Sequence, residues 1–142
     1  MVKNLHINST GKYSIDKRNV HKIVAYLKSE LNFRINAVSV NFIDSSEISI
    51  MNIKYLNHHR STDIITFNYS GKNDELDGEL FISVEDAGNN ARTYGVRLKE
   101  ELVRLVIHGF LHLLGFDDKK SNDKKKMMTL QEKLLNSCKF VL

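Results

Sequence analysis

Two histidines four residues apart are the most chemically informative feature of this 142-residue sequence. They are His108 and His112, within the segment RLVIHGFLHLLGFDDKK at 104–120. Residues four apart lie on the same face of a helix, so both imidazoles could bind one ion. On a helical wheel that begins at Leu98, the two histidines fall outside the arc occupied by the apolar residues. The pattern therefore places both on a polar face and not in the core.

Gly115 and Asp118 extend the pair into a three-ligand pattern, H-x-x-x-H-x-x-G-x-x-D. Gly115 is placed to end the helix in a left-handed conformation and to turn the chain back toward the histidines. The spacing equals that of the metzincin zinc motif, with a carboxylate in place of the third histidine. Such a set binds Zn²⁺ and leaves a fourth position for water, as in catalytic zinc sites. We predict His108, His112 and Asp118 as metal ligands.

Two alternatives stay open at this point. Asp117 could be the third ligand in place of Asp118. The segment could also be two helix-surface histidines followed by a helix cap and acidic residues, with no metal.

The residue after the first histidine is Gly109, where zincin proteases carry the glutamate that acts as general base. A peptidase of the usual zincin type is therefore not expected, although a bound metal could still activate water or polarise a phosphate. A glycine within a helix costs about 1 kcal/mol relative to alanine, so something other than helix stability favours it here. Glu101, two turns upstream, is interpreted either as a partner that orients His108 or as an exposed charge.

The hydrophobic pattern surrounds this segment with alternating strands and helices. Alternation predicts strands at 2–8, 36–44, 63–69 and 75–85, the last two joined as a hairpin at 63–84. Helical spacing and capping residues predict helices at 16–31 with Asp16 as N-cap, 44–55, 86–95 closed by Gly95, about 97–114 and about 121–137. We predict a single mixed α/β (α+β) domain over 1–142, with a mixed sheet packed against helices and a zincin-like metal helix.

Composition limits the protein class without fixing it. The net charge of +4 and the pI near 9.1 permit a polyanionic partner such as nucleic acid but do not require one. No apolar run approaches the ~20 residues that span a bilayer, and no signal-peptide core is evident, so neither a membrane partner nor export is expected. The single cysteine, Cys138, cannot form an intramolecular disulfide, which fits a reducing cytoplasmic setting.

Two further groups of charged residues have open interpretations. Five lysines lie within 119–126 and are either phosphate contacts or the solvated start of a helix, which we favour. His58 and His59 precede Arg60 on a predicted loop.

The chain resembles the YbeY family of bacterial rRNA-maturation endoribonucleases. HGFLHLLGFDD at 108–118 is similar to the family signature H-G-x-L-H-L-x-G-[YF]-D-H, and a matching E-L-x-x-L spacing precedes it. TDIITF at 62–67 and GELFIS at 78–83 are similar to two further family segments. The resemblance covers roughly residues 40–130. It implies a metal-dependent single-strand endoribonuclease with zinc as the ion, RNA and the ribosomal subunit or its proteins as partners, and a role in 16S rRNA 3′-end processing and ribosome biogenesis.

Two positions depart from the family pattern. The family's third metal-binding histidine falls at Asp118, which should retain zinc binding but shift selectivity toward harder divalent ions. The family arginine falls at Leu56, and Arg60 is out of register, so the resemblance assigns the metal no catalytic partner. The alternative functions are another zinc hydrolase, such as an atypical peptidase, and a non-catalytic ribosome-assembly protein with a structural metal.

Overall fold

The computed structural model describes residues 1–10, 12–56 and 62–139. The strands are β1 (Leu5–Ser9), β2 (Arg34–Ile43), β3 (Ile64–Asn68) and β4 (Glu75–Ser83). The helices are α1 (Lys17–Leu31), α2 (Ser45–Leu56), α3 (Val84–Tyr94), α4 (Leu98–Leu113) and α5 (Ser121–Ser137). In these ranges no helix combines the length and the apolar character needed to cross a membrane.

The strands form one mixed sheet in the order β1-β2-β4-β3. Strands β1, β2 and β4 are parallel, whereas β3 pairs antiparallel with β4, from Ile64 opposite Ile82 to Asn68 opposite Gly78. The predicted mixed α/β class and the hairpin at 63–84 are confirmed.

The main core lies between one face of the sheet and helices α1 and α4. Alternate residues of the two central strands point into it, because successive side chains of a strand face opposite sides. These are Val38, Val40 and Phe42 of β2 and Leu76, Leu80 and Ile82 of β4, all at most 1% exposed. On the other face, α2 covers a smaller cluster of Ile43, Ile48 and Ile65.

The helix boundaries follow from local capping groups. The Asp16 carboxylate accepts hydrogen bonds from the backbone N–H groups of Arg18 and Asn19, as the sequence predicts for the start of α1. Ser83 caps α3 in the same way, and Gly95 ends that helix with φ 66°. Helix α5 ends at the fully buried Cys138.

Strand β4 and helix α4 come close together at Gly78. A Cβ atom added there would lie 2.3 Å from the backbone oxygen of Phe67 and 2.8 Å from a methyl carbon of Leu113. Neither the paired strand nor the end of the histidine helix leaves space for a side chain. The absence of a Cβ at this position therefore sets how near α4 lies to the sheet.

We predict that Gly78→Ala lowers the free energy of unfolding by about 1–3 kcal/mol, because the added methyl must displace backbone. Gly88→Ala is the matched control. Gly88 lies inside α3 with nothing within 4 Å of an added Cβ, so this change should raise stability by up to about 1 kcal/mol. Urea denaturation of both variants measures the difference, and equal stabilities would contradict the close packing described here.

Candidate metal centre

Helix α4 ends in a reversal that carries Asp118 back toward the histidines. Gly115 has φ 98°, its N–H donates to the His112 carbonyl at 3.0 Å, and the Phe116 N–H donates to the Leu111 carbonyl at 3.0 Å. This pair of bonds is the Schellman motif. The left-handed glycine predicted from the sequence is thus present, and the next three residues fold over the last turn of the helix.

The reversal brings three side-chain atoms together. His108 Nε2 lies 3.1 Å from His112 Nε2, and Asp118 Oδ2 lies 3.3 Å from the nitrogen of His112 and 3.6 Å from that of His108. Ligand atoms about 2.0–2.1 Å from a tetrahedral Zn²⁺ are about 3.3 Å apart. The group could therefore hold a metal ion. Its role as a ligand set stays a prediction.

Hydrogen bonds at the other ring nitrogens fix the tautomers of both histidines. The Gln131 Nε2 amide donates to Glu132 Oε2 at 3.2 Å, so the Gln131 oxygen is the atom 2.7 Å from His108 Nδ1. His112 Nδ1 lies 3.1 Å from the carbonyl oxygen of Phe116. Because both partners are acceptors, each Nδ1 must carry the proton.

When both rings are neutral, their Nε2 atoms carry lone pairs that face each other and the Asp118 carboxylate. Three acceptors within 3.6 Å, with no donor among them, repel one another unless a cation lies between them. Burial lowers the pKa of His108, which keeps that ring neutral and its lone pair free. The donor set fits a divalent cation.

Asp117, the alternative third ligand, faces elsewhere. Its Oδ1 accepts the backbone N–H of Lys119 at 3.0 Å, and it is not part of the three-residue group.

Position 109 faces the sheet and not the histidine group. A Cβ on Gly109 would lie 2.7 and 2.8 Å from the two methyl carbons of Leu80 and 3.1 Å from Ile64 Cδ1. Packing against β4 thus explains a glycine that helix propensity disfavours. A glutamate here would enter the core, so this position cannot supply a general base.

The two interpretations of Glu101 are both wrong. Its side chain is buried, at 4% exposure for the residue, and it binds Arg104 Nη1 at 2.6 Å. The partner that orients His108 is Gln131 of α5. Sequence reasoning missed Gln131, because no spacing rule within α4 identifies a residue that arrives on another helix.

Arg104 links α4 to α5. Its guanidinium contacts Glu132 through two nitrogens, at 3.0 and 3.1 Å, in addition to Glu101. Burial opposes the positive charge, but the two carboxylates raise the pKa of Arg104 above its ordinary value. Burial also raises the pKa of Glu101, which Arg104 partly offsets. The Arg104–Glu132 pair holds α5 against α4, and so helps to position the Gln131 amide that orients His108.

A groove of about 450 Å³ adjoins His108 on the side of this network. Three carboxylates line it, those of Asp63, Glu101 and Glu132. Asp63 accepts a hydrogen bond from the Asn90 amide at 3.1 Å, and burial raises the pKa of its carboxyl. This side of the centre is acidic, with the Arg104 cation already paired to carboxylates.

Among the described residues, the others singled out in the sequence are not part of the centre. Leu56, at the family arginine position, ends α2 and is 45% exposed. His58, His59 and Arg60 lie outside the described residues. The five lysines of 119–126 are all exposed, and neither interpretation of them is tested by this arrangement.

Comparison with known proteins agrees with the sequence motifs. Residues 6–139 match the family model described as Endoribonuclease YbeY. A protein of that name from Azobacteroides pseudotrichonymphae is 40% identical over 114 residues, covering 80% of this chain and 81% of that protein. Another, from Porphyromonas gingivalis strain W83, is 36% identical over 132 residues, covering 93% and 87%. The solution structure of TM1509 from Thermotoga maritima has a TM-score of 0.65 at 28% identity, covering 94% and 88%.

We predict that His108 of the metal-free protein is in the Nδ1–H tautomer, and that Gln131→Leu converts it to a mixture of tautomers by removing the acceptor. Imidazole ¹⁵N chemical shifts measure this directly. His112 is the internal control, because its Nδ1 partner is a backbone carbonyl that the substitution leaves in place. An Nε2–H tautomer of His108 in the unsubstituted protein would overturn the assignment.

We predict that Arg104→Leu lowers the free energy of unfolding by about 3 kcal/mol at pH 7, because it leaves the buried Glu101 carboxylate without its partner. Since burial raises the pKa of Glu101 in the folded state, this loss should grow as the pH rises above the ordinary value of 4.5. Denaturation at pH 4.5 and pH 7 tests the direction. Arg34→Leu breaks the exposed pair with Glu75 and should cost less than about 1 kcal/mol at both.

Proposed function

The chain belongs to the endoribonuclease YbeY family, and on this premise we propose that it hydrolyses internal phosphodiester bonds of single-stranded RNA, with Zn²⁺ held by His108, His112 and Asp118. The proposed substrate is precursor rRNA, met at the ribosomal subunit during 16S rRNA 3′-end processing. One endoribonuclease domain spans residues 1–142 in this proposal. The observation that carries it is the convergence of three acceptor atoms, with no donor among them, in a chain of this family.

The donor set supports zinc as the ion. Two neutral imidazoles and one carboxylate are ordinary zinc ligands, and their separations suit tetrahedral geometry. The carboxylate at position 118 also makes harder divalent ions acceptable. Outer contacts hold both rings, from Gln131 to His108 and from the Phe116 carbonyl to His112, as is usual around zinc-bound histidines.

Exposure of the group favours catalysis over a structural metal. The side chains of His108, His112 and Asp118 are 18%, 25% and 37% exposed, so the position between them opens to solvent. Structural zinc sites are closed by four protein ligands, whereas catalytic sites keep a position for water or substrate. A divalent ion here would act as a Lewis acid toward phosphate oxygens and would lower the pKa of coordinated water.

The residue at position 109 argues against peptide chemistry of the usual zincin type. Gly109 faces the sheet, so the glutamate base of zincin peptidases has no counterpart at that position. The peptidase alternative therefore gains no support from the structure. His108 and His112, held by their outer contacts, orient their lone pairs toward the position that the ion would occupy.

A cytoplasmic location forms part of the proposal, because ribosomal subunits are the proposed partners. Burial raises the pKa of the Cys138 thiol to about 11, so the thiol is not poised for redox chemistry. A free, buried cysteine is consistent with a reducing compartment.

We predict that Asp118→Ala lowers zinc affinity by more than about 100-fold. Losing a ligand should cost more than losing a residue that only hydrogen-bonds to a ligand, which lowers affinity by up to about 100-fold. Asp117→Ala is the matched control and should leave affinity unchanged, because Asp117 only accepts the Lys119 N–H. His112→Ala should lose both zinc and cleavage of a single-stranded RNA, while Asp118→His should retain zinc. Calorimetric zinc titration and gel analysis of RNA products measure these effects.

Three outcomes would contradict the proposal. Full zinc binding by both His112→Ala and Asp118→Ala would remove the ligand set. RNA cleavage that persists in His112→Ala would separate activity from this centre. Zinc-dependent cleavage of casein that disappears in His112→Ala would instead support a peptidase.

A further inference from the structure

A second groove, remote in sequence from the histidine segment, carries a concentration of positive charge. It has a volume of about 1160 Å³ and lies where the start of β1, helix α1 and the start of β2 meet. We call it the basic groove and define it by its five cations, Lys3, Arg18, Lys22, Lys28 and Arg34. Within the described ranges, no Asp or Glu lines it.

The basic groove accounts for the net positive charge of the chain. Five of the 21 Lys and Arg residues line it, which leaves 16 elsewhere against 17 Asp and Glu. The rest of the chain is thus close to neutral. A concave surface with charge of one sign focuses the electrostatic potential and attracts an anionic partner.

The cations of the basic groove are available to a ligand. Arg18 and Lys22 are exposed and lie one turn apart on α1. Of the five cations, Arg34 alone forms an ion pair with a described residue; its partner is Glu75 at 3.5 Å, and the Arg34 side chain stays 75% exposed. Such a pair is worth little and does not neutralise the groove.

The Arg34 rim of the basic groove and the turn after α4 lie at the same end of the sheet. Strands β2 and β4 are parallel, so Arg34 and Glu75, their first residues, lie side by side. The Arg34 N–H donates to the Asp74 carbonyl at 2.8 Å, and the preceding residue, Asn73, lies against Gly115 of the α4 reversal. The segment 70–74 therefore separates the basic groove from the turn that carries Asp118.

Among its described lining residues, the groove on the opposite side of the metal centre offers a phosphate no unpaired cation. The groove adjoining His108 is lined by the carboxylates of Asp63, Glu101 and Glu132, and Arg104 is already paired there. An RNA strand at the metal centre would thus be directed away from this acidic groove and across the segment 70–74 toward the basic groove.

We propose that the basic groove binds the phosphate backbone of single-stranded RNA that flanks the cleaved bond. This inference rests on the proposed function, because it takes RNA as the substrate. The contacts are ionic and carry no sequence preference, so binding through them falls steeply with salt concentration. An anionic lipid surface shares the phosphate chemistry, but the concave shape and the link to the metal centre favour a nucleic-acid strand.

The test compares Arg18→Glu/Lys22→Glu with Lys54→Glu/Lys99→Glu, in the zinc-loaded full chain. Both double variants change the net charge equally and replace exposed side chains, and the control lysines lie on α2 and at the start of α4, outside the basic groove. Fluorescence anisotropy measures binding of 2′-O-methyl RNA oligonucleotides of about 20 and about 4 nucleotides at several salt concentrations. Circular dichroism verifies that both variants are folded.

We expect the Arg18→Glu/Lys22→Glu variant to bind the long oligonucleotide at least about tenfold more weakly. The slope of log affinity against log salt concentration should fall by the equivalent of about two phosphate contacts. The control variant should match the unsubstituted protein, and the short oligonucleotide should bind all three proteins equally. Lys3→Glu, in the segment before β1, should repeat the effect to a smaller degree. Equal binding of the long RNA by both double variants would overturn the proposal.

Failure of this inference is distinguishable from failure of the proposed function. If the unsubstituted protein cleaves RNA but both variants bind it alike, the basic groove is not an RNA surface and the function stands. If salt-dependent RNA binding requires Arg18 and Lys22 but no RNA is cleaved, the surface stands and the function falls. If those residues are needed for binding phosphatidylserine vesicles and not RNA, the partner is a membrane and the proposal is wrong.

Discussion

The close contact between helix α4 and strand β4 is the constraint on which the rest of the structure depends. It exists because two positions carry no side chain, Gly78 on the strand and Gly109 on the helix. With Gly109 against Leu80, helix α4 is held in an orientation that leaves both histidines partly exposed. The same orientation directs Arg104 and His108 toward α5, so sheet packing, the metal centre and the helix pair are all set by one contact.

Electrostatic asymmetry follows from this arrangement. On the α5 side of His108, carboxylates and Arg104 form a paired network that holds Gln131 in place, and the Arg104 cation is not free for a phosphate. On the other side, the α4 reversal contacts Asn73, beyond which the cations around Arg34 gather. One side therefore organises the ligands, and the other is suited to a polyanion. A modest net charge of +4 conceals this separation.

The histidine group could be predicted from the sequence because one continuous segment builds it. His108, His112, Gly115 and Asp118 are related by helix periodicity and a local turn, both of which are properties of the nearby chain. The strands, the hairpin and the capped helices were predictable for the same reason. The burial of Glu101 and the role of Gln131 were not, because they depend on how α5 packs on α4. The basic groove likewise joins residues of three elements that no sequence pattern relates.

The hydrogen bond from His112 Nδ1–H to the Phe116 carbonyl ties the geometry of a ligand to the way its own helix ends. The turn through Phe116 and the imidazole of His112, which would bind the ion, are therefore parts of one cooperative unit. By thermodynamic linkage, any ion that binds the folded turn better than the frayed one transfers its binding free energy to the end of α4. An ion bound there would stabilise the fold as well as supply the chemistry, and ion availability in the cell would set the fraction of molecules in which the reversal is formed.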